Sequence, residues 1–168
     1  GLEDLCAGRE LADQHGLGYH LDGARLWNAS IALGVAPIDI AAPFDTVSVC
    51  LSKGLGAPVG SVLVGSAPLI TEARKWRKML GGAMRQVGII AAAGRHAIDN
   101  HIERLADDHR NAQLLAEGFN AIDGIELESQ NTNMVFVRTT TDASGLEQGL
   151  LRRGVQTRWL GKRSRMVL

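Results

Sequence analysis

The first 65 residues alternate between helical and strand patterns, and this alternation constrains the fold more than any other feature of the sequence. Apolar residues recur at helical spacing from Leu2 to Gln14, and Gly16 marks the end of that helix. Strand patterns follow at 18–22 and 46–51. Helix followed by strand, with a further strand downstream, is typical of an α/β protein with a mostly parallel sheet. In such sheets, ligands bind beyond the carboxyl ends of the strands.

Lys53 follows the second strand pattern and opens a glycine-rich segment that contains Gly54, Gly56 and Gly60. A lysine at the end of an apolar strand loses hydration, which favours the neutral, nucleophilic amine that forms Schiff bases. The glycines let the backbone approach a bound group closely. The same segment also fits a solvated loop lysine between two strands, and the segment alone leaves both interpretations open.

Two common phosphate-binding motifs are excluded at this segment. The spacing Gly54-x-Gly56-x-x-x-Gly60 is one residue longer than the dinucleotide fingerprint, and a strand pattern follows where that fingerprint requires a helix. The residues before Lys53 also lack the Gly-x-x-x-x-Gly-Lys frame of a Walker A loop.

Asp22 ends the first strand pattern, and Arg25 follows three residues later. An aspartate at a carboxyl strand end can keep the ring nitrogen of pyridoxal phosphate protonated, and an arginine can hold a carboxylate with two parallel hydrogen bonds. Alternatively, Asp22 caps the next helix and Arg25 is its ion-pair partner or a surface residue.

The rest of the chain predicts further elements and one boundary. Helices are expected at about 28–33, 67–80, 86–119 and 146–152, with Gly94 and the pair Asp107-Asp108 as weak points of the long one. Strands are expected at 59–64, 134–137, 155–159 and 165–168, and the segment from Pro37 to Pro43 is expected to form a connecting loop. The change of pattern predicts an α/β unit over 1–104 and the beginning of a smaller α+β domain over 105–168.

Composition limits the classes of function. The 168 residues carry 18 basic and 18 acidic side chains, which favours neither nucleic acid nor an anionic membrane as a partner. Cys6 and Cys50 match no zinc spacing and are expected to be small buried residues in a reducing compartment. No apolar run approaches the length of a bilayer span, so a cytoplasmic protein is expected.

Three blocks of sequence resemble the low-specificity L-threonine aldolases. They occur in the order found in that family and read HLDGARLWNA at 20–29, SVCLSKGLGAPVGS at 48–61 and ARKWRKMLGGAMRQ at 73–86. The resemblance implies fold type I, the aspartate-aminotransferase-like architecture of pyridoxal-phosphate enzymes. It also implies cleavage of L-threonine or L-allo-threonine to glycine and acetaldehyde through an external aldimine, in a homo-oligomer whose subunits share active sites.

The resemblance assigns roles to six residues of this chain. Lys53 is the expected Schiff-base lysine, and Asp22 is the partner of the pyridine nitrogen. Arg25 and Arg165 are the expected ligands of the substrate carboxylate. Lys78 and Arg85 match basic positions that reach the cofactor phosphate from the neighbouring subunit, although their charge pattern alone also fits a solvated helix face.

Some of the family's site has no counterpart in this sequence. Its phosphate-cradling loop, the residue stacked on the ring and the histidines near the catalytic base lie upstream of the match, so the chain is expected to be a fragment. No base is assigned here, and the histidine spacing predicts no metal site. Two alternatives stay open: another fold type I enzyme such as a β-eliminating lyase, and a non-catalytic fragment that cannot hold the cofactor alone.

Overall fold

The computed structural model describes residues 1–140, 143 and 145–168, which form two compact units, Gly1–Glu103 and Arg104–Leu168. The roles expected for the regions 1–104 and 105–168, as the end of a cofactor-binding domain and the beginning of a small domain, remain predictions. Within the described residues, none of the helices combines the length and hydrophobicity that crossing a bilayer requires.

The first unit contains five helices and three strands among its described residues. They are α1 (Leu2–Gln14), β1 (His20–Gly23), α2 (Leu26–Leu33), α3 (Pro37–Ala41), β2 (Thr46–Cys50), β3 (Ser61–Gly65), α4 (Ala67–Met79) and α5 (Gly88–His101). The helix predicted at Leu2 to Gln14 is confirmed. The connecting loop predicted from Pro37 to Pro43 is largely wrong, because Pro37 begins the short helix α3, where its fixed φ suits the first helical position.

The sheet of the first unit has the strand order β1-β2-β3 in the described chain. β1 and β2 are parallel, whereas β2 and β3 are antiparallel, so the expectation of a mostly parallel sheet is corrected to a mixed one. The connection over 51–60 contains no helix and is shorter than the dozen or so residues that a parallel crossover needs. The chain therefore returns antiparallel.

One face of this sheet forms a core, and the start of the sheet is fixed by an ion pair. Val47 and Val49 of β2 pack with Leu26 and Ile40 from the helices. Asp45, just before β2, accepts hydrogen bonds from Arg9 of α1 at 2.9 Å and from the backbone N–H of Tyr19 at 2.7 Å. The Tyr19 N–H and then the Arg9 guanidinium hold the pKa of Asp45 below its usual range.

The second unit combines one antiparallel sheet with two helices among its described residues. Its elements are α6 (Leu105–Asn120), β4 (Ile125–Asn131), β5 (Met134–Thr139), α7 (Leu146–Leu151), β6 (Trp159–Leu160) and β7 (Arg163–Val167). The strand order is β4-β5-β7-β6. Val135 and Val137 of β5 pack against Ala112 and Ala116 of α6 and are fully buried.

The long helix predicted over 86–119 is divided, but not at either expected point. The break falls at 102–104, between α5 and α6. Gly94 lies inside α5, where an added Cβ would approach Leu51 Cδ1 to 2.9 Å, so the glycine permits close packing. Asp107 and Asp108 lie in the first turn of α6, where negative charge stabilises a helix.

Candidate functional site

Asp22 lies at the carboxyl end of β1, where the strand passes into α2. It pairs in register with Ser48 of the parallel strand β2. Its Oδ1 accepts a hydrogen bond of 3.2 Å from the backbone N–H of Ala24, which is the geometry of an Asx turn. The side chain is exposed, so its carboxylate is accessible to a ligand beyond the strand end.

Glycine is the only residue type that fits at position 23, directly after Asp22. A Cβ at this position would lie 2.9 Å from the backbone oxygen of Ser48 and 2.9 Å from Val47 Cγ1. The neighbouring backbone cannot give way without distorting the pairing of β1 with β2. The glycine therefore sets how closely the two strand ends approach each other.

Lys53 lies on an ordered loop that follows β2. The carbonyl of Lys53 accepts a hydrogen bond of 2.9 Å from the N–H of Gly56, and Leu51 is bonded to Gly60 at 3.0 Å and to Ala57 at 2.9 Å. The loop is fixed to α5 as well, because the Nδ1–H of His101 donates to the Leu55 carbonyl at 2.7 Å. Leu55 itself is buried.

The Lys53 side chain is exposed in the described chain, so the loss of hydration expected from the sequence is absent here. The physical reason is that β2 ends at Cys50 and the chain bends over the next three residues, which carries Lys53 out of the sheet. The solvated-loop interpretation thus describes the surroundings that this chain alone provides. Any burial of the amine must come from a ligand or from further protein.

Asp22 lies near the carboxyl end of β1, and the loop of Lys53 follows the carboxyl end of the neighbouring parallel strand β2. Both therefore lie at the same edge of the sheet. An amine can bond covalently to an aldehyde, and a carboxylate can stabilise a protonated ring nitrogen. This donor set fits pyridoxal phosphate, which carries both groups. The described residues contain no cluster of three or more metal-binding side chains.

Arg25 immediately precedes α2, three residues beyond Asp22, and is half-buried. Its φ of −124° and ψ of 29° are not helical, so the chain turns at this residue before the helix begins. Arg25 therefore lies near the edge of the sheet that Asp22 and the Lys53 loop share.

Lys78 and Arg85 are both exposed near the end of α4. Lys78 lies in the last turn, where positive charge complements the helix dipole, and Arg85 follows a turn in which Gly81 has a φ of +81°. Large apolar side chains are exposed beside them, with Met79 at 73% and Leu80 at 82%. Such a surface is typical of a protein contact.

Arg165 belongs to the second unit, where β7 places it opposite Phe136 of β5. The buried neighbour Ser164 points to the other face of the strand, so Arg165 lies on the exposed face of the sheet. The six residues predicted from the sequence thus fall into three groups: the sheet edge of the first unit, the end of α4, and β7.

Cys50, at the end of β2, differs from the buried cysteine that was expected. Burial raises the pKa of its thiol, but hydrogen bonds with Ser52 and Ser61 and the charge of Lys53 outweigh this and lower the pKa overall. The sulfur lies 3.5 Å from Ser52 Oγ. Cys6 is exposed, because it projects from the solvent side of α1.

The comparisons with known proteins agree with this geometry. The family model for beta-eliminating lyases matches residues 2–142. The chain belongs to the beta-eliminating lyase family. Lyases of this family and threonine aldolases depend on pyridoxal phosphate. The prediction that this chain belongs to a family of pyridoxal-phosphate-dependent lyases is confirmed.

Several curated relatives are named low-specificity L-threonine aldolases, and two of them show the extent of the match. The chain is 48% identical over 149 residues to low-specificity L-threonine aldolase 1 of Arabidopsis thaliana, a match that covers 88% of this chain and 41% of that protein. It is 48% identical over 129 residues to the low specificity L-threonine aldolase of Escherichia coli K12, covering 77% and 38%. The chain thus spans about two fifths of the length of the curated relatives it matches.

A solved structure shows the fold. A protein of Exiguobacterium sp. 255-15, provisionally named an aromatic amino acid beta-eliminating lyase or threonine aldolase, matches 99% of this chain and 50% of its own. The TM-score is 0.88 at 23% sequence identity. The predicted fold type I architecture of this family member is confirmed.

Several residues that shape these surfaces escaped the sequence interpretation. The sequence interpretation assigned His101 no role, but this residue anchors the loop of Lys53. Arg158 was placed within a predicted strand over 155–159, but the strand β6 is Trp159–Leu160. Gly161 was the sequence signal that could have located this strand. Glycine in a two-residue connection predicts a tight hairpin, here from β6 to β7, and Gly161 has a φ of +60°.

Proposed function

We propose that the full protein containing this chain is a pyridoxal-phosphate-dependent aldolase. It cleaves L-threonine, L-allo-threonine and related β-hydroxy-α-amino acids to glycine and an aldehyde. The observation that carries the proposal is the position of Asp22 and of the Lys53 loop at the ends of two neighbouring parallel strands. The identity of 48% to proteins named low-specificity L-threonine aldolases supports the choice of reaction.

Lys53 and Asp22 hold the cofactor in this proposal, in the region 1–104 that we assign to the cofactor-binding domain. The amine of Lys53 would hold pyridoxal phosphate through its aldehyde group, and the Asp22 carboxylate would keep a proton on the ring nitrogen. When bound, the cofactor supplies an electron sink for the bond that breaks at the substrate Cα. The loop hydrogen bonds restrict the backbone that carries Lys53.

Arg25 and Arg165 bind the substrate carboxylate. Each planar guanidinium can donate two parallel hydrogen bonds, which fixes the direction of the carboxylate as well as its position. Holding the substrate in one orientation would select which of the bonds at Cα breaks. We therefore expect these arginines to control reaction specificity as well as affinity.

Lys78 and Arg85 reach the cofactor phosphate of a neighbouring subunit in a homo-oligomer. The exposed apolar side chains beside them, including Met79 and Leu80, support a subunit contact at this surface. A cytoplasmic location and a free amino acid as substrate complete the proposal.

A second reaction is supported by the description of the matching family, which is that of beta-eliminating lyases. β-Elimination from L-threonine releases ammonia and a 2-oxo acid, whereas aldol cleavage releases glycine and acetaldehyde. The test is to incubate the full-length holoenzyme with L-threonine and quantify all four products. Glycine and acetaldehyde in equal amounts support the aldolase, and ammonia with the 2-oxo acid refutes it in favour of the lyase.

The 168-residue chain alone is a separate case. All five residues of β3 are exposed in the described structure, including Val62 at 44% and Val64 at 50%. Exposed strand edges and apolar faces favour association. We expect the chain alone to associate and to lack activity, and a soluble monomer that turns over L-threonine would refute this expectation.

A further inference from the structure

Strand β7 carries two arginines on its exposed face, and each lies opposite another arginine. Arg163 pairs with Arg138 of β5. On the other side of β7, Trp159 pairs with Ser164 and Leu160 with Arg163. Arg158 directly precedes β6, and continuing this register by one step beyond the strand would set it opposite Arg165. Like charges that face each other across two strands destabilise a sheet unless they are compensated.

The first of these pairs is compensated within the protein. Arg138 forms ion pairs with Glu126 and, at 3.6 Å, with Glu128. Arg163 reaches the same Glu128 through its Nε at 2.7 Å. A carboxylate therefore joins two arginines that face each other, and the repulsion between them is offset.

In the described part of the chain, no carboxylate joins Arg158 and Arg165 in the way that Glu128 joins Arg138 and Arg163. Neither Arg158 nor Arg165 takes part in an ion pair there. Glu147 lines a cavity with both arginines, but its carboxylate accepts the backbone N–H of Trp159 at 3.2 Å.

The arginines of the second pair are also held near each other and beside open space. The hydroxyl of Ser164 donates to the carbonyl of Arg158 at 2.8 Å, which fixes the backbone of Arg158 against β7. Both arginines line a cavity of about 500 Å³ on the exposed side of the sheet, together with Phe136, Leu160, Arg163 and Glu128. The Glu128 carboxylate in this cavity is already held by Arg138 and Arg163. The cavity has room for a small organic acid.

We propose that Arg158 binds the carboxylate of the amino-acid substrate beside Arg165 and in addition to Arg25, as a substrate-binding residue that the family resemblance does not assign. The substrate carboxylate takes the place that Glu128 takes between Arg138 and Arg163. The identity of the ligand rests on the proposed function, in which Arg165 already binds this carboxylate. The existence of an anion site at the pair rests on the register, the ion pairs and the cavity alone.

The first test measures anion binding without catalysis. The melting temperature of the full-length protein is recorded in sodium acetate and in sodium chloride at equal ionic strength, for wild type and for Arg158→Gln, Arg165→Gln and Arg152→Gln. Arg152 is the control, because it is exposed and lies outside the cavity. We expect acetate to stabilise wild type and Arg152→Gln, but neither of the other variants. Equal stabilisation of wild type and Arg158→Gln would overturn the proposal.

The same variants separate a binding role from a structural one. Without acetate, Arg158→Gln removes repulsion between like charges, so its melting temperature should equal or exceed that of wild type. A structural role for Arg158 predicts the opposite, a lower melting temperature in both salts, and that result would also overturn the proposal. Arg158→Lys keeps the charge without the planar fork, and we expect it to recover only part of the acetate effect.

The second test uses the aldolase reaction. Loss of a charged hydrogen bond at Arg158 should raise the KM for L-threonine by about tenfold in Arg158→Gln, while Arg152→Gln stays within about twofold of wild type. If wild type releases no glycine, the proposed function fails and the acetate test still decides the anion site. If wild type is active and Arg158→Gln has an unchanged KM, the substrate assignment fails while the aldolase stands.

Discussion

The sheets of the two units differ in how much of their apolar surface is covered. In the second unit, Val135 and Val137 of β5 are 0% exposed beneath α6. In the first unit, β3 has a similarly apolar sequence, yet Val62 and Val64 are 44% and 50% exposed. The second sheet is thus stabilised by residues of its own unit, whereas β3 presents the kind of surface that contacts further protein.

The same difference extends to the candidate functional residues. In the first unit, Asp22 and Lys53 lie at the carboxyl edge of the incompletely covered sheet. In the second unit, Arg165 lies on the solvent face of a sheet whose other face is packed. We infer that the first unit depends on additional protein to enclose its site, while the second presents its arginines on a self-supporting surface.

Removal of the Lys53 amine should have the largest effect. In Lys53→Ala, the full-length enzyme loses the covalent bond to its cofactor, so the visible absorbance of that linkage should disappear and kcat should fall by at least about 10³-fold. Absorbance spectra and glycine release measure the two effects. Lys75→Ala, at an exposed lysine of α4, is the control and should keep both; a retained absorbance band in Lys53→Ala would place the linkage elsewhere.

Truncation of one valine in each sheet tests the difference in burial directly. Val137→Ala leaves a cavity under α6 and should lower the free energy of unfolding by about 2 kcal/mol. Val64→Ala removes a half-exposed side chain and should change it by less than about 0.5 kcal/mol. Urea denaturation of the 168-residue chain, diluted until light scattering shows a monomer, measures both. Equal losses in the monomer would contradict the difference in burial between the two sheets.

A Cβ at the end of β1 should disturb the packing that positions Asp22. Gly23→Ala would place that atom 2.9 Å from the Ser48 backbone oxygen, so we expect a loss of about 1–3 kcal/mol and weaker cofactor binding. Gly18→Ala is the matched control, because an added Cβ there meets nothing within 4 Å. Fluorescence titration with pyridoxal phosphate and thermal melting follow both variants, and identical behaviour of the two would refute the steric explanation.

The smallest expected effect is the pH dependence of the ion pair at the start of β2. The Tyr19 N–H and Arg9 lower the pKa of Asp45 in the folded chain. A depressed carboxyl pKa contributes stability above the unfolded-state value, and this contribution is lost as the pH falls through the folded-state pKa. Asp45→Asn should therefore be less stable than wild type at neutral pH, and denaturation curves of the two should converge in acid.

Local patterns predicted most of the helices, because their signals lie within each segment. α1 has the predicted bounds, and α4 begins at the predicted Ala67, where Ser66 and Pro68 mark a helix start. Strand β4 escaped prediction, because its sequence IELESQN is polar and belongs to a sheet edge. The direction of β3 depends on the length of a connection, which its own residues do not encode.

For the candidate site, the sequence predicted which residues take part but not their surroundings. The resemblance of three short blocks supplied Lys53, Asp22 and Arg25, and the order of the strands supports two of them at one edge. The solvated loop was one of two interpretations of Lys53, and the sequence could not decide between them because the exposure depends on where β2 ends. Arg158 was not assigned because its opposition to Arg165 exists only once the hairpin register is known.

The most direct test of the account is to locate the cofactor linkage chemically. The full-length holoenzyme is reduced with sodium borohydride, digested and analysed by mass spectrometry, which identifies any lysine that carries a reduced pyridoxyl group. The account predicts that group on Lys53. A pyridoxyl group on another lysine, such as Lys75 or Lys78, or no modified lysine at all, would contradict it.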